Sequence, residues 1–258
     1  MRKTFLAISA IAALTGTPAL AADMAVKVPV APAPIASWTG FYVGLNGGYS
    51  LARDPFNQSI TQGTLAESSS IDSRVAPQGA LFGGQAGYNY QTGHFVFGVE
   101  GDFQWSGERD TAGCGLECFS GGGVSATLGS VEQKIKWFGT ARGRVGYASD
   151  GWLLYLTGGG AWGGIDTTQS ISESGGGLSI AASNTTSTTK GGWVFGGGTE
   201  VRITGPWSVK LEYLYMDLGN ITTAPLVLPA FGGPGATLAT NSAIHDHIVR
   251  AGVNLKLN

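Results

Sequence analysis

Three groups of side chains in this sequence could carry chemistry. Cys114 and Cys118 lie four residues apart in a glycine-rich stretch, and in an oxidising compartment that spacing is compatible with a small local disulfide. A metal site would need further ligands nearby in the sequence, and there are none. His245 and His247 flank Asp246; on an extended strand residues two apart share a face, so the two imidazoles could act as a base or as part of a metal site. The chain has no Gly-x-Ser-x-Gly nucleophile elbow and no His-x-x-x-His spacing, and histidines at the outer end of a strand are ordinarily solvated. His94 falls in a turn and has no partner in its own stretch. The largest group is Glu100, Asp102, Arg142, Arg144, Glu200, Arg202, Lys210, Glu212 and Arg250, charges that recur at even spacings inside otherwise apolar segments. Both signs are present, so one enclosure could hold them as mutually neutralising pairs. None of these groups asks for a cofactor, and the expectation is a protein that is not an enzyme.

The elements that must position those charges are strands. Between 94 and 106, Phe95, Phe97, Val99, Phe103 and Trp105 share one face while Glu100, Asp102 and Gln104 share the other. Between 207 and 219, Trp207, Val209, Leu211, Tyr213 and Tyr215 stand opposite Lys210 and Glu212. Between 131 and 148, Ile135, Trp137, Val145 and Tyr147 stand opposite Lys136, Thr140, Arg142 and Arg144. Aromatics outward into lipid with a polar row facing a lumen accounts for all three. A soluble lipocalin-like barrel would reverse the faces. Eight segments of this kind fall near 39 to 51, 79 to 90, 94 to 106, 131 to 148, 152 to 164, 191 to 204, 207 to 219 and 244 to 257.

Connections between segments alternate in length. Gln91-Thr92-Gly93, Ser149-Asp150-Gly151 and Thr204-Gly205-Pro206 are tight hairpin signals. Stretches 52 to 78, 107 to 130, 165 to 190 and 220 to 243 are long and rich in Ser, Thr, Gly, Asn or Pro. The pattern predicts an all-β fold: an eight-stranded antiparallel transmembrane β-barrel with short periplasmic turns and four long extracellular loops. An even strand number lets the first strand pair with the last, which hydrocarbon requires because an open edge leaves backbone groups unsatisfied.

Composition agrees. Charged residues make up 12% of the chain and glycine 43 of its 258 positions, against about 25% and about 7% in ordinary soluble domains. Arg2 and Lys3, the apolar run Phe5 to Leu14 and Ala19-Leu20-Ala21 read as a secretory signal peptide over 1–21. Residues 22–37, with Pro29, Pro32 and Pro34, read as a proline-rich periplasmic linker, which leaves 38–258 for the barrel. Without Arg2 and Lys3 the formal charge is 13 − 17 = −4, so no nucleic-acid footprint is present.

Several blocks carry a family resemblance. Trp38-Thr39-Gly40-Phe41-Tyr42-Val43-Gly44 resembles the opening strand of the small alphaproteobacterial outer-membrane surface-antigen family, porin-like proteins with an OmpA-like barrel. Residues 137–147, WFGTARGRVGY, resemble its fourth strand, residues 207–219, WSVKLEYLYMDLG, its seventh, and residues 249–254, VRAGVN, its last. The resemblance runs from Trp38 to the end, although such barrels commonly finish in an aromatic residue and this chain ends Lys256-Leu257-Asn258. It implies a structural outer-membrane protein and surface antigen that supports envelope integrity, with at most a narrow pore and no catalytic residues. A general diffusion porin and a lipid-modifying outer-membrane enzyme are the alternatives. Outer-membrane lipid and lipopolysaccharide, the barrel-assembly machinery, and host or surface ligands reached through the extracellular loops are the implied partners. Eight strands enclose only enough room for side chains, so paired lumenal charges are expected to block the passage.

Overall fold

The computed structural model describes residues 37–52, 54–62, 68–114, 126–175, 178–227 and 236–257. The stretches expected to be a signal peptide (1–21) and, apart from Ser37, a linker (22–37) lie outside the described residues, as does Cys118.

The strands, in chain order, are β1 (Gly40–Ala52), β2 (Asp54–Gln62), β3 (Ser68–Val75), β4 (Gln78–Thr92), β5 (Phe95–Cys114), β6 (Ala126–Ser149), β7 (Trp152–Gly175), β8 (Leu178–Thr204), β9 (Trp207–Thr222), β10 (Leu226–Val227) and β11 (Ala236–Lys256). Eight of them, β1-β4-β5-β6-β7-β8-β9-β11, form an antiparallel ring that closes where β1 pairs with β11. Stepping sideways from Tyr42 through Gly87, Glu100, Arg142, Gly159, Val194, Met216 and Asp246 returns to β1 at Ala52, ten residues beyond the start. That stagger is what tilts the strands of a closed barrel by roughly 35 to 45°.

Three tight turns lie at one end. Asp150 and Gly151 both hold positive φ, 44° and 87°, the geometry of a two-residue hairpin whose twist matches the flanking strands. Gly93 and Gly205 hold φ 58° and 53° in the other two.

Outward faces carry two aromatic girdles. Phe41, Tyr90, Phe95, Tyr147, Trp152 and Trp207 are exposed toward the turn end; Tyr49, Phe82, Trp105, Trp162 and Trp193 are exposed toward the other. On β5 the girdles are ten residues apart, Phe95 to Trp105, and ten steps of ~3.3 Å inclined at ~40° rise about 25 Å. That matches the ~25 Å apolar band of an outer-membrane barrel.

Beyond the outer girdle the structure differs from the loop expectation. β5 to β8 and β11 continue well past it, and residues 52–78 contain the β2–β3 hairpin, which pairs with β11. Thr and Ser read as loop residues in isolation, yet β-branched Thr suits a strand and a neighbouring strand satisfies its backbone. Thr168 and Thr185 hydroxyls meet across β7 and β8 at 2.9 Å, and Ser187 Oγ donates to Asp166 Oδ1 at 2.8 Å.

Three β-bulges sit at this height, between Trp105 and Glu108, between Ile135 and Trp137, and between Ile244 and His245. The second overturns two expected orientations. Ile135 faces inward and is fully buried, while Lys136 is exposed and pairs with Asp166.

The occluded lumen as candidate functional site

Alternation on each strand sends one row of side chains inside, and along the barrel axis these rows form layers. Nearest the turns, Trp38, Val96, Ala148, Leu153 and Tyr155 form an apolar layer. Ser37 and Trp38 are tied across this mouth: Trp38 N–H donates to Gln91 Oε1 at 2.7 Å, Lys256 Nζ donates to Ser37 O at 2.8 Å, and the Arg202 guanidinium lies 4.5 Å over the Trp38 ring. Arg202, expected among the lumenal charges, is thus held at the mouth and half-buried. It stands one inward step below Glu200, where the wall ends.

Above lies the charged layer. Glu100, Asp102, Arg142, Arg144, Glu200, Lys210, Glu212 and Arg250 are all buried. Arg142 Nη2 pairs with Glu100 and, at 2.9 Å, with Asp102, and its Nη1 reaches Glu212 at 3.0 Å. Arg250 bridges Asp102 at 3.1 Å and Glu212 at 2.6 Å. Glu100 stands directly opposite Arg142 in register, as the strand alignment predicts. Glu200 likewise stands opposite Lys210, but those two do not join. Lys210 Nζ reaches across to Glu100 at 2.9 Å, and Glu200 accepts from Ser208 Oγ at 2.5 Å, Asn254 Nδ2 at 2.8 Å and Arg144 at 3.4 Å. In so narrow a barrel the closest opposite charge comes from across the lumen as readily as from the adjacent strand.

Tyrosines complete this layer. Tyr42 Oη donates to Glu100 at 2.8 Å and Tyr155 Oη to Glu212 at 3.0 Å. Their rings flank Arg144, at 4.9 and 5.0 Å from its guanidinium carbon. The wall facing them is bare: a Cβ on Gly198 would lie 2.8 Å from Tyr155 Oη.

The outer layer departs from the expectation of a polar lumen. Leu81, Ile135, Phe138, Ala161, Ile165, Val194, Leu214, Met216, Leu218, Ile221, Ile244 and Ile248 form one buried apolar cluster. The signal was in the sequence: Leu214, Met216 and Leu218 continue the even-numbered row begun by Lys210 and Glu212. Gln104, Glu108 and Asp246 are buried at the same height. Ser106 Oγ donates to Glu108 Oε1 at 2.8 Å.

The remaining candidates do not converge. His245 and His247 face outward beside the outer girdle while Asp246 points inside, so the strand separates them from that carboxylate. His247 Nδ1 meets Tyr213 Oη at 2.7 Å, and His245 Nε2 lies 3.7 Å from Asp217. His94 does have partners, since its ring stacks on Tyr147 and its Nδ1 lies 3.1 Å from Ala148 O. Cys114 ends β5.

The model of the family described as outer membrane protein beta-barrel domain matches residues 9–256. The chain belongs to that family. This outer membrane β-barrel is 35% identical over 257 residues to the 31 kDa outer-membrane immunogenic protein of Brucella melitensis, covering 96% of this chain and 98% of that one. It is 33% identical over 193 residues to a 22 kDa outer membrane protein of Rhizobium leguminosarum bv. viciae, covering 74% and 68%. Among solved structures, OprG from Pseudomonas aeruginosa aligns over 85% of this chain and 97% of that one at TM-score 0.48 and 11% identity. The barrel's place is the bacterial outer membrane.

Proposed function

We propose that the chain is a non-conducting structural barrel that supports the outer membrane and presents its outer strands as surface antigen. One observation carries this reading: an apolar layer, a neutralised charged layer and an outer layer of apolar side chains with buried Gln104, Glu108 and Asp246 among them fill the lumen in series. A general diffusion pore needs a passage of the kind found at about sixteen strands, and a hydrated ion would have to cross all three packed layers here. The names of the Brucella relatives, outer-membrane immunogenic proteins, support surface display. The lipid-modifying enzyme is disfavoured by the histidines at 245 and 247, which face outward while Asp246 between them points inside. Outer-membrane lipid and lipopolysaccharide fit the girdled wall, the assembly machinery the strand alternation, and external ligands the strands beyond the outer girdle.

The test uses cells lacking the chain. Expected are sensitivity to detergent, its reversal by the wild-type chain and equally by an Arg142→Lys variant that keeps the lumen filled, and antibody labelling of residues 181–189 on intact cells. Sugar-dependent swelling of liposomes carrying the protein would overturn the reading.

A further inference from the structure

Among the described residues, the outward-facing lysines and arginines near the outer girdle are gathered on one wall. Arg109 on β5 and Lys134 and Lys136 on β6 point away from the lumen, since Glu108, Gln133 and Ile135 beside them are buried inside. The Arg109 and Lys136 side chains are 61% and 50% exposed, and Lys134 is half-buried. The opposite wall at this height presents Asp217, His245 and His247 instead. Directly beneath the cations lies an aromatic part of the girdle. Phe103 stacks on Trp137 at 5.7 Å and meets Trp105 edge-on at 5.0 Å, and Phe82 stacks on Trp105 at 5.3 Å. Lys136 adjoins Trp137, and Lys134 with Arg109 opposite it stands two pairing steps further out, a rise of roughly 5 Å at a tilt of ~40°. A hydrocarbon core of about 30 Å becomes about 40 to 45 Å with its headgroup zones, so all three cations lie at headgroup depth.

The fold sets two of these cations against each other. Arg109 stands directly opposite Lys134 in register, where like charges about 5 Å apart at Cβ repel. Neighbouring acids relieve this only in part. Glu132 lies 3.6 Å from Arg109, an exposed ion pair of a kind that contributes little. Asp166, opposite Lys134 on β7, is taken by Lys136 and by Ser187 Oγ, which donates to it at 2.8 Å. Lys134 is left with no ion pair within 4 Å among the described residues. An oxyanion seated between Arg109 and Lys134 turns the repulsion into attraction, and the planar guanidinium fork matches a phosphate or carboxylate through two parallel N–H···O bonds.

We propose that Arg109, Lys134 and Lys136 bind the anionic headgroup of an outer-leaflet lipid, whose chains descend over Phe103, Trp105 and Trp137. The inference rests on the structural reading above, in which lipopolysaccharide is a partner of the girdled wall, and adds which wall, which residues and which chemical group. A free anion in solution would need only the cations. The aromatic floor directly beneath them, facing hydrocarbon, fits a ligand that carries apolar chains below its charge.

The probe is lipid A carrying its phosphates, titrated against the full chain folded in maltoside micelles, which contain no phosphate. Its control is the same lipid A stripped of phosphate by a phosphatase, and native mass spectrometry reads the bound fraction. Each cation near an anionic headgroup contributes about fivefold. Lys134→Gln is therefore expected to weaken binding of the phosphorylated lipid about fivefold. Removing all three cations, by Arg109→Gln, Lys134→Gln and Lys136→Gln together, or removing the phosphates, weakens it about a hundredfold. Glu132→Gln with Asp166→Asn removes the competing carboxylates and tightens binding, a gain that a merely structural role for the cations would not produce. Heat-modifiability reports folding in every variant; should the triple variant not fold, Lys134→Gln and the two lipids on the wild-type protein still decide. Equal binding of the two lipids or unchanged binding by Lys134→Gln overturns the proposal. So does displacement of the lipid by equimolar inorganic phosphate, which would mark a site for a free anion. None of these substitutions touches the lumen, so conductance of the same proteins judges the structural reading separately.

Discussion

Arg142 joins three of the four lumenal carboxylates, Glu100, Asp102 and Glu212, so its removal is a sharp perturbation of the barrel's interior. The charged layer holds four acids, Glu100, Asp102, Glu200 and Glu212, and four bases, Arg142, Arg144, Lys210 and Arg250. Arg142→Met keeps most of the side-chain volume and leaves the layer one negative charge in excess. Breaking a buried pair by removing one partner costs about 3 to 5 kcal/mol, because the remaining charge stays desolvated. The lower end applies here, since Lys210 still reaches Glu100 at 2.9 Å and Arg250 still reaches Asp102 and Glu212. About 3 kcal/mol is therefore expected. Adding Asp102→Leu restores neutrality, so the double variant should be no less stable than Arg142→Met alone. Urea unfolding from lipid vesicles, followed by tryptophan fluorescence, measures all four corners of the cycle. An Arg142→Met variant within about 0.5 kcal/mol of wild type, or a double variant whose loss equals the sum of the singles, would refute the idea of a coupled, neutral charged layer.

The remaining predictions concern the wall. Leu45 is 74% exposed and lies midway between Phe41 and Tyr49 on β1, so Leu45→Arg should cost about 2 to 4 kcal/mol, while Phe97→Arg, two residues from girdle residue Phe95, should cost nearer 1 kcal/mol; the same unfolding assay compares them, and a reversed order would contradict the assigned depths. Glu100→Gln should cost about 3 kcal/mol in the same assay, since Lys210 is left with Glu212 at 3.9 Å as its nearest acid while Arg142 keeps Asp102 and Glu212; a loss under about 0.5 kcal/mol would contradict this. Gly151→Val forces a β-branched residue into φ 87°, an expected loss of about 1 to 2 kcal/mol that an equal Gly151→Asn variant would deny. Purified protein in detergent should migrate differently on gels before and after boiling, as a closed hydrogen-bonded ring requires.

The membrane-spanning part of the fold was legible because lipid and lumen impose a strict two-residue alternation. Phe95, Phe97, Val99, Phe103 and Trp105 against Glu100, Asp102 and Gln104 fix both the strand and its faces. The outer strands were less legible. Ser183 to Thr189 has no amphipathic alternation, since both faces of β8 meet water there, and only the pairing with β7 makes it a strand. Bulges hid the orientation of Ile135 and Lys136, because one extra residue inverts every later face. The charged residues were visible in sequence, and so was the pairing of Glu100 with Arg142 on the adjacent strand, but the partners reached across the lumen were not: Lys210 chooses Glu100 over Glu200 beside it, a choice set by barrel radius. The outer apolar layer was visible in Leu214, Met216 and Leu218, yet the polar row before it masked the change.

The central claim is that the lumen is closed. Planar lipid bilayers containing the full-length folded barrel, recorded with salt on both sides, test it most directly. A filled interior predicts a flat baseline broken at most by brief, irregular currents, and the same baseline for Leu45→Arg protein that has folded. Steady ohmic steps of uniform size in the wild-type protein would contradict it.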